Sequence, residues 1–237
     1  MELFKVELLK LKRSSLLSLG LIFPIIIVIF TFSKVSGMEK IAELGLSEGL
    51  YMFSSIAFIT LFLPLYIIYV ACMVTKVEND NNGWRGLMLF PIKKTSIYLS
   101  KYKVMLSLLI ISTLSYIVSL NISLFILGNN FNFMLDSMKY LLQIITTTLP
   151  IITLLFIIGR RFISIIPVIT TGVIMLITNI FIAQSKFWIY APWTYSMMIS
   201  GGAITYKERY IVLVVSIILS LIMFAIDFID FTKSDII

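Results

Sequence analysis

The chain has 237 residues, of which 59% are hydrophobic and only 13% are charged, and its mean hydropathy is +1.04. A soluble domain of this size carries about 25% charged residues, so the composition excludes a water-soluble protein, and it excludes a disordered chain for the same reason. The lack of histidine and the single cysteine, Cys72, exclude a disulfide framework, a cysteine–histidine zinc site and hydrolysis through a serine–histidine pair.

Residues 1–14 combine an apolar helical face with positive charges. Apolar residues at positions 1, 4, 8 and 11 follow helical spacing, and Lys10, Lys12 and Arg13 lead into the first apolar stretch. A helix of this kind lies in the membrane surface, with its cations near anionic headgroups. The same cations are also explained if they only fix the orientation of the first span.

Six uncharged stretches are long enough to cross a membrane, which takes about 20 mostly apolar residues. They predict an all-α integral membrane protein with a single transmembrane domain, residues 1–237, and spans at about 15–33, 51–75, 104–127, 140–159, 163–184 and 210–229. The stretch 187–206 contains two tryptophans, a proline and a Gly-Gly pair, and it lacks a long aliphatic run. We interpret it as an extracytoplasmic interfacial or re-entrant segment, with a seventh span as the alternative.

The distribution of lysine and arginine predicts the orientation of the spans, because cytoplasmic loops retain positive charge. With six spans and a cytoplasmic N-terminus, 13 of the 19 basic residues lie on the inner side. Both termini are therefore expected in the cytoplasm, whereas a seven-span chain would move the C-terminus outside. The long loop 76–103 then also lies in the cytoplasm.

The loop 76–103 is richer in sequence features than a chain reversal needs. Trp84, Leu87 and Phe90 lie three residues apart, and they predict a short surface helix that Pro91 ends. An aromatic side chain surrounded by charge is typical of a protein–protein contact. The interpretation that Trp84 simply lies in the lipid interface is equally consistent with the pattern.

The same loop resembles a signature of the membrane subunits of ABC-2 type transporters. This signature has a glutamate, polar residues, a tryptophan, a proline, a basic residue, an aromatic residue and a lysine. The chain has these in that order at Glu78, Asn82, Trp84, Pro91, Lys94, Tyr98 and Lys101. The opening is also similar to that of the family, with Glu7, Lys10, Lys12 and Arg13. Within the family, a chain of this length is most similar to permeases of the lantibiotic-immunity and bacitracin-export type.

The resemblance implies a non-hydrolysing permease of the bacterial plasma membrane that works with a separate ABC ATPase, which binds the ATP and magnesium. It implies that residues 84–90 form a cytoplasmic coupling helix between spans 2 and 3, that residues 1–14 form an elbow helix, and that two permeases pair. The chain agrees in lacking a GxxxxGK[ST] phosphate loop. The expected cargo is an amphipathic antimicrobial peptide taken from membrane lipid; no cofactor on this chain and no nucleic acid partner are expected.

Polar residues inside the spans are candidates for a transport pathway. Asn121, Gln143 and Asn179 could line one, although such side chains more often bond a neighbouring helix. Asp227 and Asp230 end the last span near its inner surface, where they either serve function or mark the helix end. No predicted span has a charge at its centre, which disfavours ion-coupled transport.

Two other functions are compatible with a chain of this kind. The first is a stand-alone membrane protein that binds or senses a toxin without ATP. The second is an enzyme acting on membrane lipid, which is disfavoured because the chain lacks the clusters of acids, histidines or cysteines that such chemistry uses. We assign no catalytic residue and no metal ligand from the sequence.

Overall fold

The computed structural model describes residues 2–11, 15–36, 45–79, 93–128, 132–202 and 204–233, with the backbone alone at residues 2 and 132–135. These ranges are helical and contain no strand. Six helices among them are long and apolar enough to cross a membrane, which confirms the predicted all-α, six-span plan.

The described ranges contain eight α-helices. They are α1 (Glu2–Leu11), α2 (Leu16–Ser36), α3 (Leu46–Asn79), α4 (Lys94–Ile126), α5 (Asn132–Arg161), α6 (Ile166–Ala183), α7 (Tyr195–Ser200) and α8 (Tyr206–Lys233). The candidate spans lie in α2 to α6 and in α8. α3 and α4 extend beyond the predicted spans, so residues 76–79 and 94–103 of the predicted loop are helical.

α3 and α5 form the centre of the bundle. In their most apolar stretches, 50% and 56% of the residues are buried, against 22% in α6 and in α8. Neighbouring helices approach this centre closely at glycines, where a side chain would not fit. A Cβ would lie 2.3 Å from Tyr66 at Gly20, 2.7 Å from Thr75 at Gly159 and 2.3 Å from Ile68 at Gly172.

α3 contains a π-helical turn, Ala57–Phe62, just before Pro64. Proline has no N–H to donate to the carbonyl one turn earlier, and a widened turn accommodates that missing bond. The turn is packed between two other helices: Phe58 stacks on Tyr116 of α4 at 4.1 Å between ring centroids, and Phe62 stacks on Phe23 of α2 at 5.8 Å. The irregular backbone is therefore held inside the protein.

The chain between α6 and α8 forms two short 3-10 turns, Lys186–Tyr190 and Pro192–Thr194, followed by the six-residue α7. Thr194 donates to the carbonyl of Trp188 at 3.0 Å, and Tyr195 donates to that of Ile189. These bonds fold the segment against itself and against α5 and α6. It is not among the six candidate spans of the described ranges.

The outer surface of the spans is apolar. Exposed side chains such as Ile174 of α6 and Ile218 and Leu221 of α8 are at least half accessible. A surface of this extent is stable against lipid tails but not in water. The structure is therefore that of a multi-pass membrane protein.

Candidate functional site

Ion pairs gather at one end of the bundle, which we call the charged end. It is formed by α1, by the first turns of α4 and by the last turns of α3, α5 and α8. The described residues here form two clusters, each built around a buried ion pair. Each cluster joins helices that are far apart in the sequence, and three residues of the ABC-2 signature take part in them.

The first cluster, the elbow cluster, contains Glu7 and Lys10 of α1, Glu78 of α3 and Lys101 of α4. Lys101 Nζ lies 2.9 Å from Glu7 Oε2 and 3.0 Å from Glu78 Oε1. Lys10 Nζ lies 2.7 Å from the same Glu78 oxygen and 3.0 Å from Glu7 Oε1. Two positive and two negative charges balance, as burial requires, because an unpaired buried charge is very costly.

Burial within the elbow cluster is nearly complete. Lys101 is 0% exposed, Glu78 3% and Glu7 6%. Burial alone would lower the pKa of Lys10, but its hydrogen bonds to Glu78 and Glu7 and their charges raise that pKa above the usual value. The four side chains therefore hold one another in position through the contacts of Lys10 and Lys101 with Glu7 and Glu78.

α1 reaches this position because its apolar face packs on the protein. Phe4 and Leu8 pack against the core, and Leu11 is buried. Glu7 and Lys10 are one turn apart, so they present a carboxylate and an ammonium to the same site. Contacts with α4 thus account for the apolar face predicted from residues 4, 8 and 11.

The second cluster, the aspartate cluster, contains Tyr98 of α4, Arg160 and Arg161 of α5, and Asp227 and Asp230 of α8. Arg160 binds both carboxylate oxygens of Asp227, with its Nε 3.0 Å from Oδ2, and its Nη2 lies 3.0 Å from Asp230 Oδ2. Tyr98 donates to Asp227 Oδ2 at 2.9 Å. The carboxylate of Asp227 is 1% exposed, so this forked pair is strong and directional.

Aromatic rings surround the tyrosine of the aspartate cluster. The Tyr98 ring meets Phe156 of α5 at 5.1 Å between centroids, and Phe224 and Phe228 of α8 at 5.4 Å. The Arg160 guanidinium lies 5.3 Å from the ring centroid of Phe231. This apolar shell keeps water away from the Asp227 carboxylate, which strengthens its ion pair.

The two clusters are connected through shared helices. Tyr98 and Lys101 are one turn apart on α4, so this helix contributes to both. Asn79, next to Glu78, donates to the carbonyls of Gly159 at 3.0 Å and Phe162 at 2.8 Å, at the end of α5. The charged end is therefore one connected network that includes α1, α3, α4, α5 and α8.

The signature residues divide into those that the structure describes and those that it does not. Glu78 and Lys101 are brought together in the elbow cluster, and Tyr98 lies in the aspartate cluster. All three are buried, and Lys94 is partly exposed at the start of α4. The bonding partners of these three buried side chains are residues of this same chain. The predicted coupling-helix residues Asn82, Trp84, Leu87, Phe90 and Pro91, and the elbow residues Lys12 and Arg13, lie outside the described residues.

The three predicted pathway residues are not joined by hydrogen bonds in the described part of the chain. Asn121 donates to the Ile117 carbonyl at 2.9 Å and accepts from Ser137 of α5 at 3.1 Å, so it links two helices. Asn179 is 2% exposed, and its Oδ1 has no partner among the described residues. Gln143 is partly exposed on α5.

Sequence analysis missed Arg160 as a site residue and left the role of Asp227 open. The signal was the complementary charge of two adjacent arginines and two aspartates at the ends of different spans. Six spans put both pairs on the same side of the membrane. Within the described residues, no group of side chains could hold a metal ion.

A family model described as "ABC-2 family transporter protein" matches residues 3–179 of the 237. The chain therefore belongs to the ABC-2 transporter family. The matched region includes the whole elbow cluster and Arg160, whereas Asp227 lies beyond it. Neither a curated protein nor a solved structure matches the chain.

Membership in this family defines the class of protein. Its members are the membrane subunits of ABC transporters, so the chain is a multi-pass transmembrane subunit and is not itself catalytic. The family also implies an ABC ATPase as the partner that supplies energy. The resemblance seen in the signature is confirmed at this level.

Proposed function

We propose that this chain is the permease subunit of an ATP-driven ABC-2 exporter that removes an amphipathic peptide, such as a lantibiotic, from the membrane of the cell that makes or resists it. The observation that carries the proposal is the elbow cluster. Glu78 and Lys101 lie on either side of residues 80–92, which include Trp84 and Leu87. Lys101 binds Glu7 of α1 directly, and Glu78 is linked to Glu7 through Lys10.

This arrangement suits a subunit that receives a movement at residues 80–92. A displacement there acts on the last turn of α3 and the first turns of α4, which the elbow cluster binds to α1. Through Tyr98 and Asn79 it also acts on α5 and α8. Breaking a buried ion pair costs about 3–5 kcal/mol, so these helices move together rather than one at a time.

The proposed orientation and partners follow the sequence analysis. The charged end faces the cytoplasm of a bacterial cell, both termini lie there, and an ABC ATPase binds residues 84–90. ATP and magnesium are bound by that ATPase. A second permease, identical to this chain or not, completes the pathway.

The described surface supports an apolar or amphipathic cargo. A groove of about 720 Å³ lies between α2 and α3, lined by Phe23, Phe30, Phe53 and Ile56, with Lys34 near one end. It opens on the outer face of the bundle, where side chains meet lipid. A peptide that is already dissolved in the bilayer can reach such a groove without crossing water.

Co-purification tests the proposed assembly. The tagged chain is extracted from its native membrane in mild detergent, and an ABC ATPase together with a permease is expected to accompany it. Trp84→Ala and Leu87→Ala should reduce both ATPase recovery and peptide resistance. Tyr190→Ala is the matched control, because Tyr190 is 80% exposed and lies between α6 and α8, away from the charged end.

Three results would contradict the proposal. If the chain is recovered alone in several detergents, or if Trp84→Ala behaves like Tyr190→Ala, residues 84–90 do not bind an ATPase. If peptide resistance also persists after ATP depletion, the chain acts as the stand-alone immunity protein.

A further inference from the structure

A groove of about 800 Å³ runs between α1 and α4 on the outer surface of the charged end. Its walls include Leu3 and Phe4 of α1, and Ser96, Lys103 and Leu106 of α4. The volume lies within the range of about 300–1,000 Å³ that is usual for ligand sites. The elbow cluster lies elsewhere on α1 and uses none of these side chains.

The groove has a basic, hydroxyl-rich end and a more apolar end. Ser96, Leu99, Ser100 and Lys103 line it along the first turns of α4, and Leu106, Ser107 and Ile110 continue the same face further along the span, where the Ser107 hydroxyl donates to the Val104 carbonyl at 2.8 Å. At 1.5 Å per residue, the distance along α4 from Ser96 to Leu106 is about 15 Å. This order matches a membrane lipid, whose headgroup lies at the surface and whose chains extend inward.

The charge of the groove determines which kind of lipid headgroup it can bind. Lys103 is exposed and has no carboxylate partner in the described ranges, in contrast to the fully paired Lys101 two residues earlier. Among the described side chains that line the groove, none is acidic. Helical side chains lean toward the N-terminus, so the Lys103 ammonium points toward the level of Ser96 and Ser100. The groove therefore offers a positive charge with hydroxyl groups beside it.

We propose that this groove binds one anionic phospholipid. Its phosphate lies between the Lys103 ammonium and the Ser96 hydroxyl, and an acyl chain follows Leu106 and Ile110, with Phe4 on the opposite wall. Ser100 donates to the Ile97 carbonyl at 2.8 Å, so the Ser96 hydroxyl is the one that donates to the phosphate in this arrangement. The bound lipid fills the space between α1 and α4 and adds to the attachment that the elbow cluster provides.

Other occupants fit the groove less well. A zwitterionic lipid would place a second cation near Lys103, and no carboxylate among the described lining residues would balance it. A protein segment would need partners for its backbone N–H and C=O groups, and a lysine with a few serines supplies few of them. The inference does not depend on the ATPase or on the cargo.

Native mass spectrometry tests the site on the full-length chain in mild detergent. The chain is exposed to equal amounts of phosphatidylglycerol and phosphatidylcholine with the same acyl chains, and retention of phosphatidylglycerol is expected to dominate. Lys103→Gln should lower that preference about fivefold, which is the effect of one lysine near an anionic surface. Lys103→Arg should keep it. Lys93→Gln is the matched control, because Lys93 is exposed at the same end but does not line the groove.

A second variant and a second ligand complete the test. Leu106→Trp fills the groove and should abolish phosphatidylglycerol retention while circular dichroism shows an unchanged helix content. Millimolar glycerophosphate, which has no acyl chains, should not displace the lipid. Equal retention of the two lipids by the wild type, equal losses in Lys103→Gln and Lys93→Gln, full retention by Leu106→Trp, or displacement by glycerophosphate would each overturn the proposal.

Discussion

Lys101 has the most demanding environment of the charged end. Its ammonium is wholly buried, and it bridges carboxylates from two other helices. The signature marked Lys101 and Glu78 but gave no reason for either. That reason is Glu7, which precedes Lys101 by 94 residues, and a contact of that separation leaves no local pattern in the sequence. The pairing of charges that lie this far apart in the sequence could therefore be found only from the structure.

Lys101→Met removes the buried ammonium and leaves Lys10 as the one cation among the described residues that binds Glu7 and Glu78. Loss of one partner from a buried ion pair costs about 3–5 kcal/mol, so we expect a marked loss of thermal stability in detergent. Lys139→Met is the control, since the Lys139 side chain is 74% exposed in its pair with Asp136 and such pairs contribute about 0–1 kcal/mol. Equal melting temperatures for the two variants would contradict the role given to Lys101.

Tyr98→Phe removes one hydroxyl from the aspartate cluster and leaves the ring packing in place. The lost hydrogen bond joins a charged carboxylate, so the expected cost in the free energy of unfolding is about 1.5–3 kcal/mol. Tyr102→Phe removes a bond to the neutral Thr153 hydroxyl and should cost about 0.5–1.5 kcal/mol. Denaturation of both variants in the same detergent measures the difference, and a larger loss in Tyr102→Phe would refute this ranking.

The spans could be predicted because hydropathy over about 20 residues is a local property of the chain. The extension of α4 over residues 94–103 could not, because its serines, lysines and tyrosines look like a loop until the partners of Tyr98 and Lys101 are known. The π-helical turn of α3 and the folded turns after α6 also depend on packing against other helices. Tertiary contacts determine these elements, and such contacts leave no periodic pattern in the sequence.

Packing of α5 on α3 depends on the absence of a side chain at Gly159. In Gly159→Ala the new methyl group would lie 2.7 Å from Thr75, whose hydroxyl is fixed by a 2.7 Å bond to the Ala71 carbonyl. The helices must separate, and we expect a loss of about 1–3 kcal/mol from overpacking. Gly201→Ala is the control, since its methyl group would lie 3.4 Å from the nearest atom. Thermal unfolding that ranks Gly201→Ala as the less stable variant would exclude this explanation.

The molecule as a whole has both ends of its described chain at the charged end. α1 is bound there by Glu7, and the last turns of α8 are bound there by Asp227. This agrees with an even number of crossings, as in the six-span plan. The distribution of basic residues predicts that this end faces the cytoplasm.

Labelling of single cysteines tests that orientation in a Cys72→Ala background. Lys139→Cys should react with a membrane-impermeant maleimide in intact cells, because it is exposed and predicted outside. Lys93→Cys and Lys233→Cys should react only after the membrane is opened, because both lie at the charged end. Labelling of Lys93→Cys in intact cells would reverse the topology, and labelling of Lys233→Cys alone would indicate a seventh span.

The aspartate cluster also sets an order for synthesis. Tyr98 and Arg160 are made 129 and 67 residues before Asp227, the carboxylate that both of them bind. During translation, α4 and α5 therefore enter the membrane while the acceptor for their polar side chains does not yet exist. Only when α8 is inserted does Arg160 gain the Asp227 carboxylate, so assembly of the charged end waits for that helix.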